Sequence, residues 1–357
     1  MRFHPKTRRW AGVALLALIG AVVLSACDLG PENGANTMRP AGPVAAKENE
    51  LFAIIMIVST IVFVVVTAWL LISIFRFRAR PGSPEARQIA GDNRIEIGWT
   101  IVPSIILFVV LFFTVSYMFA LASPPTPPTL NVTAIGHQWW WEFHYPVQTA
   151  QGITTQIVTA DEMHIPVGAV VHISLVSDNV IHSFWVPELG GKTDVIPGHD
   201  NALWLKADRT GIFRGECAEY CGNQHAHMDY TVHADSDADF RAWVANMQTQ
   251  AVAPATDAAT AGQKVFLSSG CVACHNIDGV TKPHPAIGPN LTHFGSRSLI
   301  AGGVLSNTPD NLTRWILHAQ DVKPDSDMPS FDGSPGSQGN LTQEQINNLV
   351  TYLESLQ

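Results

Sequence analysis

Two uninterrupted apolar runs restrict this chain more than anything else in it. Residues 51–75 read LFAIIMIVSTIVFVVVTAWLLISIF, and residues 99–121 read WTIVPSIILFVVLFFTVSYMFAL. As a helix the first run extends about 37 Å, enough to cross a bilayer with some tilt. The fold must therefore contain a membrane-spanning helical hairpin. Pro103 is expected within the first turns of the second span, where a missing N–H costs least. The connecting RFRARPGSPEARQ carries Arg76, Arg78, Arg80 and Arg87, which predicts a cytoplasmic loop and two outward-facing hairpin ends.

The N-terminus agrees with that topology. Lys6, Arg8 and Arg9 precede AGVALLALIGAVVL, and Ser25-Ala26-Cys27 follows. This is the pattern of an export signal, too short for a comfortable span. Its ending Leu24-Ser25-Ala26-Cys27 resembles a bacterial lipobox, which makes Cys27 the expected lipidated N-terminus. The net charge of -9 argues against a general nucleic-acid binder.

Composition divides the rest. Residues 1–26 read as the signal, 27–47 as a Gly/Pro/Ala tether and 48–122 as the hairpin. From 126 to 248 the runs LNVTAIG, ITTQIVT, AVVHISLVS and NALWLKA are short, β-branched and partly alternating, predicting an all-β sandwich closed by a helix at DADFRAWVANMQTQ. Residues 249–258 form a small-residue linker, and 259–357 a mainly helical module ending in TQEQINNLVTYLESL.

That last module carries CVACH, residues 271–275, which fits C-x-x-C-H, the attachment signature of c-type haem. Cys271 and Cys274 are spaced to bond one macrocycle, and His275 then reaches the iron. No second C-x-x-C pair accompanies it, as a zinc ribbon would require. Met328, in DSDMPSF, is the only methionine after the motif and the expected sixth ligand; His284, His293 and His318 are its rivals. IGPNL, residues 287–291, resembles the loop of small cytochromes c whose proline carbonyl orients the proximal histidine.

The sandwich carries CAEYCGNQHAHM, residues 217–228, with HSFWVPEL upstream. Thiols, imidazoles and a thioether select copper or zinc over magnesium or calcium. One cysteine, two histidines and a methionine would make a single-copper site. The second cysteine allows two metals to share both sulfurs. A Cys217–Cys221 disulfide is conceivable in an exported domain, but it leaves His225 and Met228 without a reason.

These residues resemble the copper centre of cytochrome c oxidase subunit 2. The match is at Cys217, Glu219, Cys221, His225 and Met228, with His182 as the remote histidine. The resemblance implies a cupredoxin-like fold and a dinuclear copper centre. In it both cysteines bridge, each histidine caps one copper, Met228 ligates weakly and the Glu219 carbonyl completes the set. It also implies a magnesium site shared with subunit 1 at the Glu219 side chain. GHQWWWEFHY, residues 136–145, is similar to the family's aromatic segment, Trp139 matching the residue of electron entry. Trp140 departs from it, since tyrosine is usual there, and a fused haem offers a route around that surface. Glu96 in NRIEIGWTIVP matches a carboxylate at the mouth of a proton channel in subunit 1. Asp178 and Asp194 fall at acidic family positions with no role assigned. His137, His144, His164, His172, His199 and His227 read as ordinary sheet, loop or cluster histidines.

The whole chain thus resembles a subunit 2 with its own fused cytochrome c. The expected function is electron entry to a proton-pumping terminal oxidase of the bacterial inner membrane, with both cofactor domains on the outer face. Subunits 1 and 3 are the expected partners, and a cytochrome c or a quinol-oxidising complex the donor. A nitric oxide reductase input subunit and a lipid-anchored copper-binding protein are the alternatives.

Overall fold

The computed structural model describes residue 20 and residues 35–78, 80–82, 85, 88, 91–148, 154–282 and 287–357; Cys27, Arg87 and His284 lie outside the described residues. Two helices, α1 (Pro43–Arg76) and α2 (Asn93–Leu121), are long and apolar enough to cross a membrane, and neither apolar window is buried within the chain. Side chains such as Phe63 and Phe119, 69 % and 72 % exposed, would be costly in water, so lipid or a partner must cover them.

Both helices begin earlier than the apolar runs. α1 starts at Pro43, inside the segment read as a tether, because that segment is docked rather than free. The Ala41 N–H donates to the Glu188 carbonyl (2.7 Å), and the Ala41 carbonyl accepts from Asp208 (2.8 Å). A Cβ on Gly42 would collide with the Lys206 carbonyl, so only glycine permits this approach. α2 starts at Asn93, capped by the Asp92 side chain, so Pro103 falls in the helix interior rather than its first turns. The reason is the polar first turn, NRIE, which apolarity alone does not detect. The Trp204 indole N–H donates to the Leu121 carbonyl (2.9 Å) and so caps α2 against the sandwich.

The ten strands that follow form two five-stranded sheets, a β-sandwich of cupredoxin type. One sheet orders β3 (Thr154–Ala160), β2 (Trp140–Gln148), β1 (Leu130–His137), β5 (Val171–Ser177) and β8 (Asn201–Leu205). The other orders β4 (Glu162–Pro166), β10 (Asp229–Asp235), β9 (Gly211–Cys217), β6 (His182–Trp185) and β7 (Thr193–Val195). β5 shows the alternation that makes such a sandwich: Val171, Ile173 and Leu175 are fully buried, while His172 and Ser174 are not. Trp141, Phe143, Tyr145, Phe184, Phe213 and Tyr230 meet between the sheets, each burial contributing about 1.5–3 kcal/mol.

Helix α3 (Asp237–Met247) closes the sandwich, its Trp243 stacking on His164. The C-terminal region is helical: α4 (Asp257–Ser268), α5 (Pro309–Leu317), α6 (Ala319–Val322) and α7 (Gln343–Glu354). Side-chain caps start three of these, Thr256 at α4, Thr308 at α5 and a full capping box at Thr342 and Gln345. The region also has a two-stranded ladder, Leu299–Ile300 with Leu305–Ser306, whose turn reaches the sandwich.

Helices α4 and α7 cross at Gly262, where a Cβ would strike the Asn348 backbone. Gly262→Val should therefore lower the stability of this domain by about 1–3 kcal/mol through overpacking. Thermal unfolding followed at an absorption band of the C-terminal domain would register the drop.

Candidate metal centre and haem cleft

The soft-ligand cluster forms where two strands meet. Cys217 ends β9, Cys221 lies in the following loop, His225 opens a single 3-10 turn (His225–His227), and Met228 precedes β10. β6 pairs antiparallel with β9 in the register Phe184↔Cys217, so His182 arrives beside that loop from 35 residues away. Gly136 makes room for it, since a Cβ there would stand 2.8 Å from His182 Cδ2.

The donors converge. The Cys217 and Cys221 sulfurs are 3.8 Å apart; His182 Nδ1 lies 3.8 Å from Cys217 Sγ, and His225 Nδ1 3.8 Å from Cys221 Sγ. Met228 Sδ is 3.8 Å from Cys221 Sγ, and the Glu219 carbonyl 3.3 Å from Cys217 Sγ. Both cysteines are free, so the disulfide is not formed. Donors bound to one ion at ~2.0–2.3 Å stand about 3.5 Å apart in a tetrahedral set, close to these spacings. His182 and Met228 are fully buried, and His182 Nε2 meets Asn179 Oδ1 at 3.0 Å, an outer contact of the kind that orients a ligating imidazole. The paired sulfurs pull the Cys217 pKa well down, the hydrogen bond from Cys221 being the main cause, and push that of Cys221 up.

A second cleft opens between the sandwich and the helical region. Its volume is about 310 Å³, within the ≈300–1,000 Å³ of ordinary small-ligand sites. Cys271, Cys274, His275 and Met328 line it together, with apolar walls from Phe266, Leu312 and Leu353. His275 Nδ1 donates to the Pro289 carbonyl (2.8 Å), which leaves Nε2 for a metal. Burial lowers the His275 pKa and keeps the ring neutral, the ligating form. Gly288 is what permits this packing, since its Cβ would stand 2.6 Å from the imidazole. A macrocycle held by two thiols and one imidazole fits these residues.

The chain matches three family descriptions in succession. Residues 32–117 match "Cytochrome C oxidase subunit II, transmembrane domain", residues 130–235 the periplasmic domain of the same subunit, and residues 259–357 "Cytochrome c". It is 36 % identical to cytochrome c oxidase subunit 2 of Alkalihalophilus pseudofirmus, covering 100 % of this chain and 99 % of the relative. The chain belongs to the cytochrome c oxidase subunit 2 family. It is also 30 % identical to subunit 2 of Bacillus subtilis over 98 % of both chains. The solved periplasmic domain of subunit II from Bradyrhizobium japonicum is 33 % identical, covering 34 % of this chain and 96 % of that one, with a TM-score of 0.31. This subunit 2 is therefore part of an oxidoreductase complex, and its domains imply a copper site and haem binding.

Other residues singled out in the sequence are placed as follows. Trp139 lines the cleft and donates its indole N–H to the Cys221 carbonyl (3.0 Å), so it touches both sites at once. Glu96 sits in the exposed first turn of α2, about 37 Å of helix away from Leu121. Asp178 receives His137 at 2.9 Å, and His318 pairs with Asp332 at 3.2 Å. His293 is buried but does not line the cleft. Glu162, His164 and His233 offer donor atoms within 4.8 Å of one another. Their neighbours account for them: Glu162 accepts from Ser298, Asp235 meets His164, and the two imidazoles stack at 4.4 Å.

The residues missed in the sequence are those joining the two sites: Gln138, Asp161, Gln224, Arg297 and Lys323. Asp161, Arg297 and Lys323 belong to no motif, and Gln138 and Gln224 lie inside the aromatic and cysteine segments without a ligand's chemistry to mark them. Glu142 is a related case behind Trp139. Burial works to raise its pKa, but His137 and His144 outweigh it and hold the carboxyl at about 2. A depressed carboxylate contributes stability that is full above the ordinary value near 4.5 and lost as pH falls towards 2. Glu142→Gln should cost the sandwich about 1–2 kcal/mol at neutral pH, discounted for partial exposure. Denaturant unfolding between pH 7 and pH 3 should also show a flatter acid limb in the variant.

Proposed function

We propose that this chain is the electron-entry subunit of a proton-pumping terminal oxidase in a bacterial inner membrane. It would take electrons at a covalent c-type haem and deliver them through a dinuclear copper centre to subunit 1, where oxygen becomes water. One observation carries this reading: Trp139 bonds the Cys221 carbonyl with its indole N–H while lining the haem cleft, so a single residue joins both cofactor sites.

Cys217, Cys221, His182, His225, Met228 and the Glu219 carbonyl would together hold the two coppers. Cys271 and Cys274 would hold the macrocycle, with His275 and Met328 on the iron. Both groups supply one-electron transfer when bound; a Met/His pair raises the iron potential and disfavours oxygen binding. The work of this chain is then positional. The Pro289 carbonyl fixes the His275 ring, and Asn179 fixes that of His182.

The finer assignments rest on the family resemblance. Glu219 would reach a magnesium ion at the subunit 1 surface, Glu96 would serve proton entry there, and Cys27 would carry lipid. Subunit 3 would complete the complex, and a cytochrome c or a quinol-oxidising complex would be the donor. The Arg-rich loop at residues 76–80 favours the topology with both cofactor domains outside. Glu96 also favours an oxidase over a nitric oxide reductase, and gas-consumption assays on the purified complex distinguish the two.

Metal analysis and EPR of the purified complex test the centre. Two coppers per chain with a mixed-valence signal are expected; Cys217→Ser or Cys221→Ser should abolish the signal and lower oxygen consumption at least about a hundredfold, the scale of removing a group the reaction needs. Unchanged turnover in either variant would overturn the reading.

A tethered haem domain replaces diffusional encounter by an effective concentration of order mM. Electron delivery from haem to copper should therefore persist at high salt, where docking of a free charged donor weakens. Flash reduction of the haem followed across ionic strength measures this, and a steep loss would count against it.

A further inference from the structure

Among the described residues, three non-glycine residues have left-handed backbone: Asp161 (φ 60°), Ala301 (φ 58°) and Asp325 (φ 65°). All three lie on the seam between the sandwich and the cytochrome c domain. Such conformations persist only where the surroundings over-determine them, and they collect at functional sites. Gly302 and Gly303 continue the left-handed run at φ 69° and 79°.

That turn is pressed backbone against backbone onto the copper domain. The Asp229 N–H donates to the Gly302 carbonyl (2.9 Å), directly after the ligand candidate Met228. A Cβ on Gly303 would stand 2.7 Å from Asp229 Cβ, and one on Gly302 would stand 2.9 Å from the Trp139 carbonyl. No other side chain fits between these chains.

Lys323 locks the turn in place. It is 3 % exposed, and its ammonium donates to the Trp139 carbonyl (2.5 Å) on one side and to the Ala301 carbonyl (3.1 Å) on the other. Burial pulls its pKa down to about 8, while Asp161 and Asp229 of the sandwich work to hold it up. The wider seam is complementary in charge, with Asp161, Glu162 and Asp229 facing Arg297 and Lys323. Further along it, Ser298 donates through N–H (2.7 Å) and hydroxyl (2.5 Å) to Glu162. Asn223 donates to Asp325 (2.8 Å), and Gln224 to the Pro324 carbonyl (2.7 Å). The Lys323 bond to the Ala301 carbonyl lies within its own domain, and its bond to the Trp139 carbonyl ties that domain to the sandwich.

We propose that Lys323 and the left-handed turn Ala301–Gly303 form a docking key. With it the cytochrome c domain seats itself over Trp139 and closes that face to any external protein donor. The proposal deepens the functional reading above and rests on it for the meaning of the closed face. External electrons then enter only through the cytochrome c domain, and Lys323 is a positioning residue for their onward transfer.

The test uses the full chain in its membrane complex. Hydrogen exchange is followed at the Asp229 amide, in peptides spanning residues ~226–232, because that N–H is protected only while the domains are docked. Lys323→Met should speed its exchange about tenfold, as expected for losing a charge-assisted hydrogen bond. Glu162→Gln, on the opposite wall, should shift it in the same direction, and Lys282→Met, an exposed lysine of the same domain, should not. Haem-to-copper transfer after flash reduction should slow in Lys323→Met while both optical bands are kept. Wild-type exchange in both seam variants overturns the docking key; so does loss of the haem band in Lys323→Met with Glu162→Gln unchanged. Absence of the copper or haem band from the wild-type complex would sink the functional reading instead, leaving the exchange result to stand.

Discussion

The pairing of β6 with β9 is the constraint on which the rest depends. Antiparallel strands fix which residues stand opposite, so the register Phe184↔Cys217 delivers His182 to the cysteine loop without any local choice. The bond from Ala218 N–H to the Ser183 carbonyl (2.9 Å) extends that pairing past the end of the strand. A slip of one residue would turn His182 to the opposite face of the sheet. The candidate metal ligands are thus positioned by backbone geometry, and His182, Cys217, Cys221 and Met228 are buried in the close-packed core.

The same sandwich sets the relation between the two cofactor sites. The β1–β2 connection carries Gln138 and Trp139, both of which bond the Cys221 carbonyl (2.8 and 3.0 Å). Their other side forms a wall of the haem cleft. The cytochrome c domain meets this wall with Lys323, Gly302 and Gly303, which touch Trp139 and Asp229 of the sandwich. The seam is polar and buried at once, which makes it specific: a buried charge without its partners costs several kcal/mol, so misaligned docking is strongly disfavoured.

Much of this was legible in the sequence because the signals were local. The two apolar runs, the C-x-x-C-H motif and the cluster of soft donors each lie within a short window, where spacing alone dictates chemistry. His182 and Trp139 were reached only through resemblance, since nothing in their own neighbourhoods points to the cysteine loop. The docking of residues 41–46 on the sandwich was hidden for a related reason. Small residues read as flexible, and Gly42 is small because the Lys206 carbonyl leaves no space for more. Pro103 lies in a helix interior because the polar turn before it is helical too.

Lys323 shows where sequence reading stops. In the chain it is one lysine in DVKPD, with neighbours that suggest a solvated loop. In the fold it is buried between two domains, bonded to a carbonyl 184 residues earlier. The sequence by itself determined the inventory: two spans, one haem motif, one set of soft ligands. It could do so because covalent spacing and hydrophobic length are properties of short segments. Only the tertiary structure decided which of these face one another, because strand register and domain docking depend on contacts between segments far apart in the chain.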